Sequence, residues 1–335
     1  DLGTVTTTLG GTLTIETNAG SITDSGVITA SGISSFTTST TNDDITLNST
    51  NVMTGAVSVA TTGATGDATL DNGTTALNLG TVSVGGNLLV TCGEAITDSG
   101  VITVGGTAGF TTDVNDKAIT LDSSNAITGA ITFTTQTGGT NAAHVTLNNG
   151  STAISLAAFT TEGNLTLTTT AAIALAGHTV NGNLSVTSSN AITQTAALTV
   201  TGTSSFTTNA SNMAITLSTT TNAFTGAMSF TTTGTGDVTI DNGATALNLG
   251  TVSVGRNLLV TCGEAITDSG VITVGGTAGF TADLANISIT LDQISSFTGA
   301  VSLATSGASG NISLTNAAIA LDLGTVTTTL GGTLT

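Results

Sequence analysis

The chain has 335 residues, no Pro, Trp or Tyr, and 7% charged residues, where ordinary soluble domains carry roughly a quarter. Its net charge is −18, and Lys117 and Arg256 are its only basic residues apart from two histidines. That balance excludes nucleic-acid binding, which needs basic groups to displace counterions from phosphates, and it disfavours anionic membrane surfaces.

No apolar run approaches the roughly 18 residues of a membrane-spanning helix. A hydrophobic fraction of 39% and a mean hydropathy of +0.41 argue against disorder, which needs low hydrophobicity. Thr, Val and Ile are abundant, and their branched side chains suit a pleated surface. The composition therefore predicts an ordered all-β protein.

The first 14 residues read DLGTVTTTLGGTLT and recur unchanged at 322–335, which sets a period of 321 residues. The sequence thus opens mid-repeat, and a missing signal peptide says nothing about secretion. The simplest reading is one period of a tandem array. Four shorter units lie within it, at 11–85, 86–181, 182–255 and 256–331. They open on Gly11-Thr12-Leu13, Gly86-Asn87-Leu88, Gly182-Asn183-Leu184 and Arg256-Asn257-Leu258, and the next opens on Gly332-Thr333-Leu334. The spacings are 75, 96, 74 and 76 residues, so the second unit is the long one. Its excess lies near 164–182, between Gly163-Asn164-Leu165 and Gly182-Asn183-Leu184, and reads as one added coil of a solenoid. Residues 71–112 and 241–282 match at 39 of 42 positions.

Within a unit the phrases run GNLxVT, AITDSGVITVGGT, FTT, AITL, TGA, DNG and ALNLGTVSVGG. Each holds four to six residues that alternate apolar with Thr or Ser, the mark of a half-buried strand. Gly85-Gly86, Gly105-Gly106, Asn72-Gly73, Asn149-Gly150 and Asn242-Gly243 separate them. These residues tolerate the positive φ that tight corners demand. The expected fold is a right-handed parallel β-helix of about three strands per coil, three coils per unit and 13 coils per period, with four shorter coils per unit left open. Pro is absent because each strand is hydrogen-bonded on both edges. Like charges stacked about 5 Å apart would repel, which limits charge. Asp24, Asp98 and Asp268 fall in separate units, with Gln194 in the fourth.

Phe36, Phe110, Phe206 and Phe280 share one repeat position. Phe133 and Phe230 share another with Val59 and Leu303, and Phe224 and Phe297 a third with Met53 and Ile127. Interchange with aliphatics predicts core packing rather than an aromatic ligand platform.

Candidate chemistry is sparse, and no catalytic, cofactor-binding or metal-binding residue is assigned. His144 and His178 are isolated, and no His/Cys pair has metal spacing. Lys117 and Arg256 lie in different units, so no cation stands ready for a clustered-carboxylate groove. Asp67 and Asp71 could contribute to a weak structural calcium site, although aspartates do not recur every nine residues. Cys92 and Cys262 occupy equivalent places and are expected as free thiols, with lateral cross-linking between chains as the alternative. Thr-x-Thr strands such as Thr166-Leu167-Thr168 raise ice binding, but the pairs do not recur at one fixed place.

The phrases GNLLVT, AITDSGVITVGGT, GNLSVTSSNAITQTAALTVTGT and TGA resemble the filamentous-haemagglutinin-like β-strand repeats of giant bacterial surface proteins, over essentially the whole chain. The resemblance implies a parallel β-helix, secretion to the cell surface, and a role in adhesion, aggregation or biofilm. The expected function is a passive, non-enzymatic segment of a long extracellular fibre or stalk, with a carbohydrate-binding β-helix and an ice-binding solenoid as alternatives. Expected partners are neighbouring repeats, further copies end to end or side by side, and surface glycans.

Overall fold

The structure, a computed structural model, describes residues 1–7, 10–136, 138–139, 143–317, 319–327 and 333–335. Parts of both copies of the 14-residue phrase, including Gly332, lie outside these. Every element among the described residues is a β-strand, and the strands pair in parallel in about 15 turns of a β-solenoid with about three strands per coil. Hydrogen-bonded neighbours in adjacent coils are typically 20 or 23 residues apart, as for Asn87 with Thr107 and Asp44 with Asp67. Two compact units divide the chain, Asp1–Thr170 and Ala171–Thr335.

In the first unit, Leu13–Thr17 pairs with Ser34–Thr41, which pairs with Val57–Thr62 and then Leu77–Val84. A second ladder runs Ile22–Thr23, Ile45–Leu47, Ala68–Asp71, Leu88–Cys92, Ala108–Asn115 and Ile131–Gln136. A third begins with Val5–Thr6, Ile28–Ala30 and Val52–Met53. The opening phrase therefore changes ladder. Leu13 stands on the first, whereas its equivalent Leu88 stands on the second.

The second unit repeats this step. Leu184–Ser188 stacks with Ser204–Ser211, Met228–Thr233 and Leu247–Val254. The equivalent Leu258–Cys262 instead continues Ile173–Leu175, Ile192–Gln194, Ile215–Leu217 and Val238–Asp241. Leu334 moves on again, to the ladder of Leu247, Ile266, Ile289 and Ile312. A repeat unit, the longer second one apart, is thus three coils and one strand, and the turns number about 15 where roughly 13 are expected.

The extra strand arises in the phrase ALNLGTVSVGG. Leu77–Val84 faces one strand on one edge, Val57–Thr62, and two on the other, Ile96–Asp98 and Ile102–Val104. Its register shifts by one residue between Leu79 and Val82, around Gly80. Such a bulge bends the strand and resets which residues point inward. Leu247–Val254 makes the same double pairing with Ile266–Asp268 and Ile272–Val274.

The core is a set of inward columns. Phe36, Phe110, Phe206, Phe224, Phe230, Phe280 and Phe297 are fully buried, with Met53 and Ile127 at 0% exposure. Equivalent positions meet in register: Phe110 lies 5.8 Å from Phe133 at 23°, and Phe206 lies 5.8 Å from Phe230 at 16°. The expected core packing is what forms. Corners use glycine in two ways. Gly73, Gly150 and Gly243 have φ near +55° (53°, 54° and 56°), as a tight corner requires. Gly86, Gly106 and Gly129 do not. They stack amide to carbonyl at 2.8 and 3.1 Å, so closely that a Cβ at Gly129 would strike the carbonyl of Gly106.

One core position breaks the pattern. His178 stands on the rung beside Leu198, since Thr199 N–H donates to the His178 carbonyl at 3.0 Å, and its side chain is 2% exposed. Burial pulls its imidazole down to about 4 from the usual 6.5. A base whose folded value is depressed contributes stability present above 6.5 and lost as pH falls toward 4. A change of that size corresponds to about 3 kcal/mol. His178→Leu should therefore flatten the stability profile between pH 6.5 and 4, measured by urea unfolding against the wild type. An unchanged profile would refute the assignment.

Candidate functional surface

The reactive side chains are dispersed and engaged. Lys117 pairs with Glu94 at 2.6 Å and Arg256 with Asp237 at 3.5 Å. His144 is exposed, and its Nδ1 accepts the Asn164 amide at 2.9 Å. Cys92 and Cys262 are free and fully buried, and burial raises both thiols. Their burial removes them from lateral cross-linking between chains. Among the described residues no group of three or more His, Cys, Asp or Glu is placed to hold a metal ion.

Asp67 and Asp71, the candidates for a weak calcium site, each accept a backbone amide. Asp67 Oδ1 accepts the Asn87 amide at 2.6 Å, and Asp71 Oδ1 accepts the Gly73 amide at 2.8 Å. Asn148 and Asp241 treat Gly150 and Gly243 in the same way, at 3.0 and 2.8 Å. A single acceptor oxygen suffices there, which is why Asp and Asn interchange.

The best-organised polar groups are two sets of buried asparagines. Asn72 Oδ1 accepts the Met53 amide at 2.8 Å, and its Nδ2 donates to the carbonyls of Met53, Thr75 and Ala76 at 3.0–3.2 Å. Asn149 and Asn242 repeat this with Ile127 and Phe224. In the second set, Asn51 and Asn125 accept the amides of Ile28 and Ile102, both at 2.7 Å. Their Nδ2 groups donate to Asp24 at 2.7 Å and Asp98 at 2.8 Å. The two amides of Gln194 and Asn222 serve each other at 2.8 and 2.9 Å. Asp24, Asp98, Gln194 and Asp268 are thus corner acceptors. They also take the next coil's backbone amides, as Asp98 does from Asp122 and Ser123.

In the last unit Ser295 replaces that asparagine and accepts the Ile272 amide at 3.1 Å. Asp268 keeps its backbone donors but no Asn stands opposite it, and desolvation raises its carboxyl despite those bonds. The sequence reading missed this network. Its signal was the residue that opens the TGA phrases: Asn51, Asn125, Asn222 and Ser295.

The outer surface is mainly hydroxyl. Thr97, Thr120, Thr146 and Thr166 form one column across successive coils, as do Thr23, Thr46 and Thr69, and Thr193, Thr216 and Thr239. Beside the first column Asn148 faces Thr168, so the Thr array is one residue wide there. Leu89 and Leu259 interrupt the hydroxyl surface at 49% and 48% exposure, each against a flush glycine, Gly109 and Gly279. A groove lined by Leu89, Thr107, Gly109 and Thr132 follows from the first.

The repeat units match the family described as repeats of unknown function (DUF5649) over residues 1–60, 65–134, 162–231 and 235–304. The chain belongs to this repeat family. No curated protein and no solved structure matches the chain. No helix among the described residues is long and apolar enough to cross a membrane.

Two outcomes follow from the asparagine sets. Asn242→Asp removes the donor to three carbonyls while keeping shape, and should cost about 1–3 kcal/mol in urea unfolding, more at pH 7 than at pH 4. Ser295→Asn should supply Asp268 with the donor that Asn125 gives Asp98, and stabilise by about 1 kcal/mol. The raised Asp268 carboxyl contributes stability that is present at low pH and lost as pH rises through its folded value. The gain from Ser295→Asn should accordingly appear at pH 7 and vanish near pH 3, and an equal gain at both would exclude the pairing.

Proposed function

We propose that this chain is a structural or adhesive segment of a long extracellular bacterial surface fibre, passive rather than enzymatic, of the filamentous-haemagglutinin-like kind. One observation carries the reading: the polar side chains that might do chemistry are spent on the stack. The buried asparagines, the corner aspartates and the Asx turns each hold a neighbouring coil, and Lys117 and Arg256 are each ion-paired.

A stack of this kind resists bending without a globular core, because each coil buries and hydrogen-bonds its neighbours. The surface it offers is hydroxyl-rich and low in charge, suited to a stalk that must stay wettable over a large area. Net charge of −18 adds repulsion between passing chains.

The test is location and attachment together. Antibody raised against the chain should label intact source cells as extended material beyond the envelope, and protease applied to intact cells should remove it. Label that appears only after permeabilisation would overturn the proposal. Beads coated with the chain distinguish stalk from adhesin: attachment to glycan or matrix marks an adhesive face, and inert beads mark a spacer.

A further inference from the structure

The two copies of DLGTVTTTLGGTLT occupy opposite situations, and between them they show both edges of the same strands. In the first copy, Leu2, Val5 and Leu13 pair with Asp24, Ile28 and Ser34 of the coil that follows. In the second, the equivalent Leu323, Val326 and Leu334 pair with Val301, Leu303 and Ile312 of the coil that precedes.

The backbone groups used are complementary. Leu2 donates its amide to Thr23 at 2.6 Å, its carbonyl accepts from Ser25 at 2.9 Å, and the Leu13 amide donates to Ile33 at 2.9 Å. The second copy instead uses the neighbours of those residues. The Asp322 carbonyl accepts from Val301 at 2.9 Å, the Thr333 carbonyl from Ile312 at 2.8 Å, and the Thr335 amide donates to Ile312 at 3.0 Å. Overlaying the two copies satisfies both edges, and none of these groups is asked to serve twice. Parallel ladders demand this alternation.

The side chains agree. Leu323 and Leu334 are 45% and 51% exposed, and Leu2, Val5 and Leu13 are half-buried. Each copy covers the flank that the other leaves open. Coil lengths agree as well. The hydrogen bonds from the Thr333 amide to Asn311 and from the Gly20 amide to Asp43 span 22 and 23 residues, within the range of interior coils.

We infer that a second copy of the repeat following in the same polypeptide continues the solenoid without a break, with the 14-residue phrase as a shared coil bonded on both edges. The inference concerns folding and stands whether or not the chain is a surface fibre.

The test is a chain in which residues 15–335 follow directly after 1–335. Hydrogen exchange at the Leu323 and Leu334 amides should slow at least 100-fold relative to the single repeat, approaching the rates of Leu2 and Leu13. A glycine inserted after Thr327 shifts Leu334 by one place, turns it outward, and should abolish the protection. Unchanged exchange at Leu323 and Leu334 would overturn the inference. A joint that tolerates the glycine insertion without loss of protection would overturn it equally.

Discussion

Everything in this molecule answers to one constraint: each residue lies about 5 Å from its counterpart in the coils before and after. A side chain that packs well on itself is rewarded at every rung, and one that repels itself is penalised at every rung. Phe on Phe, Ile on Ile and Thr on Thr satisfy the rule, and they dominate the columns. Charge does not, so Asp and Glu are few and the two strongly basic residues sit singly; where Asp44 and Asp67 do meet on successive coils, the Asp67 amide donates to the Asp44 carboxylate. The same spacing dictates the Gly86–Gly106–Gly129 corner, where backbone meets backbone and a Cβ at Gly129 would strike the Gly106 carbonyl. Arg256 fits the equivalent corner place, with its guanidinium beside Asp237.

Buried polarity follows from the constraint too. A coil must turn three times, and each turn exposes amides and carbonyls that the ladders leave out. Water cannot reach them at full burial, so they need side-chain partners. Asparagine supplies an acceptor and a donor from one short side chain, and Asn72, Asn149 and Asn242 use both. Where the set is incomplete, at Ser295, the neighbouring Asp268 carboxyl feels it directly.

Much of this was legible in the sequence because repetition reports on stacking. Alternation marked the strands, and interchange of Phe133 with Val59 and Leu303 marked a core position rather than a ligand platform. The asparagine network was not read, because Asn51 and Asn125 look like ordinary loop residues until the coil length brings each against an aspartate 27 residues away. The added strand per unit escaped for a different reason. Leu77–Val84 alternates like any long strand, and only pairing reveals that its two halves serve different ladders across the shift at Gly80. Phrase spacing gives the length of a unit but not the angle through which the chain has turned.

That angle has its own consequence. Because a unit closes on three coils and one strand, copying it also winds its contents round the axis, like the treads of a spiral stair. Within each compact unit the phrase that opens a repeat comes to a different ladder at its next copy, as Leu13 and Leu88 do, and Leu258 and Leu334. Duplication in such a gene would therefore broaden as well as lengthen what the chain offers.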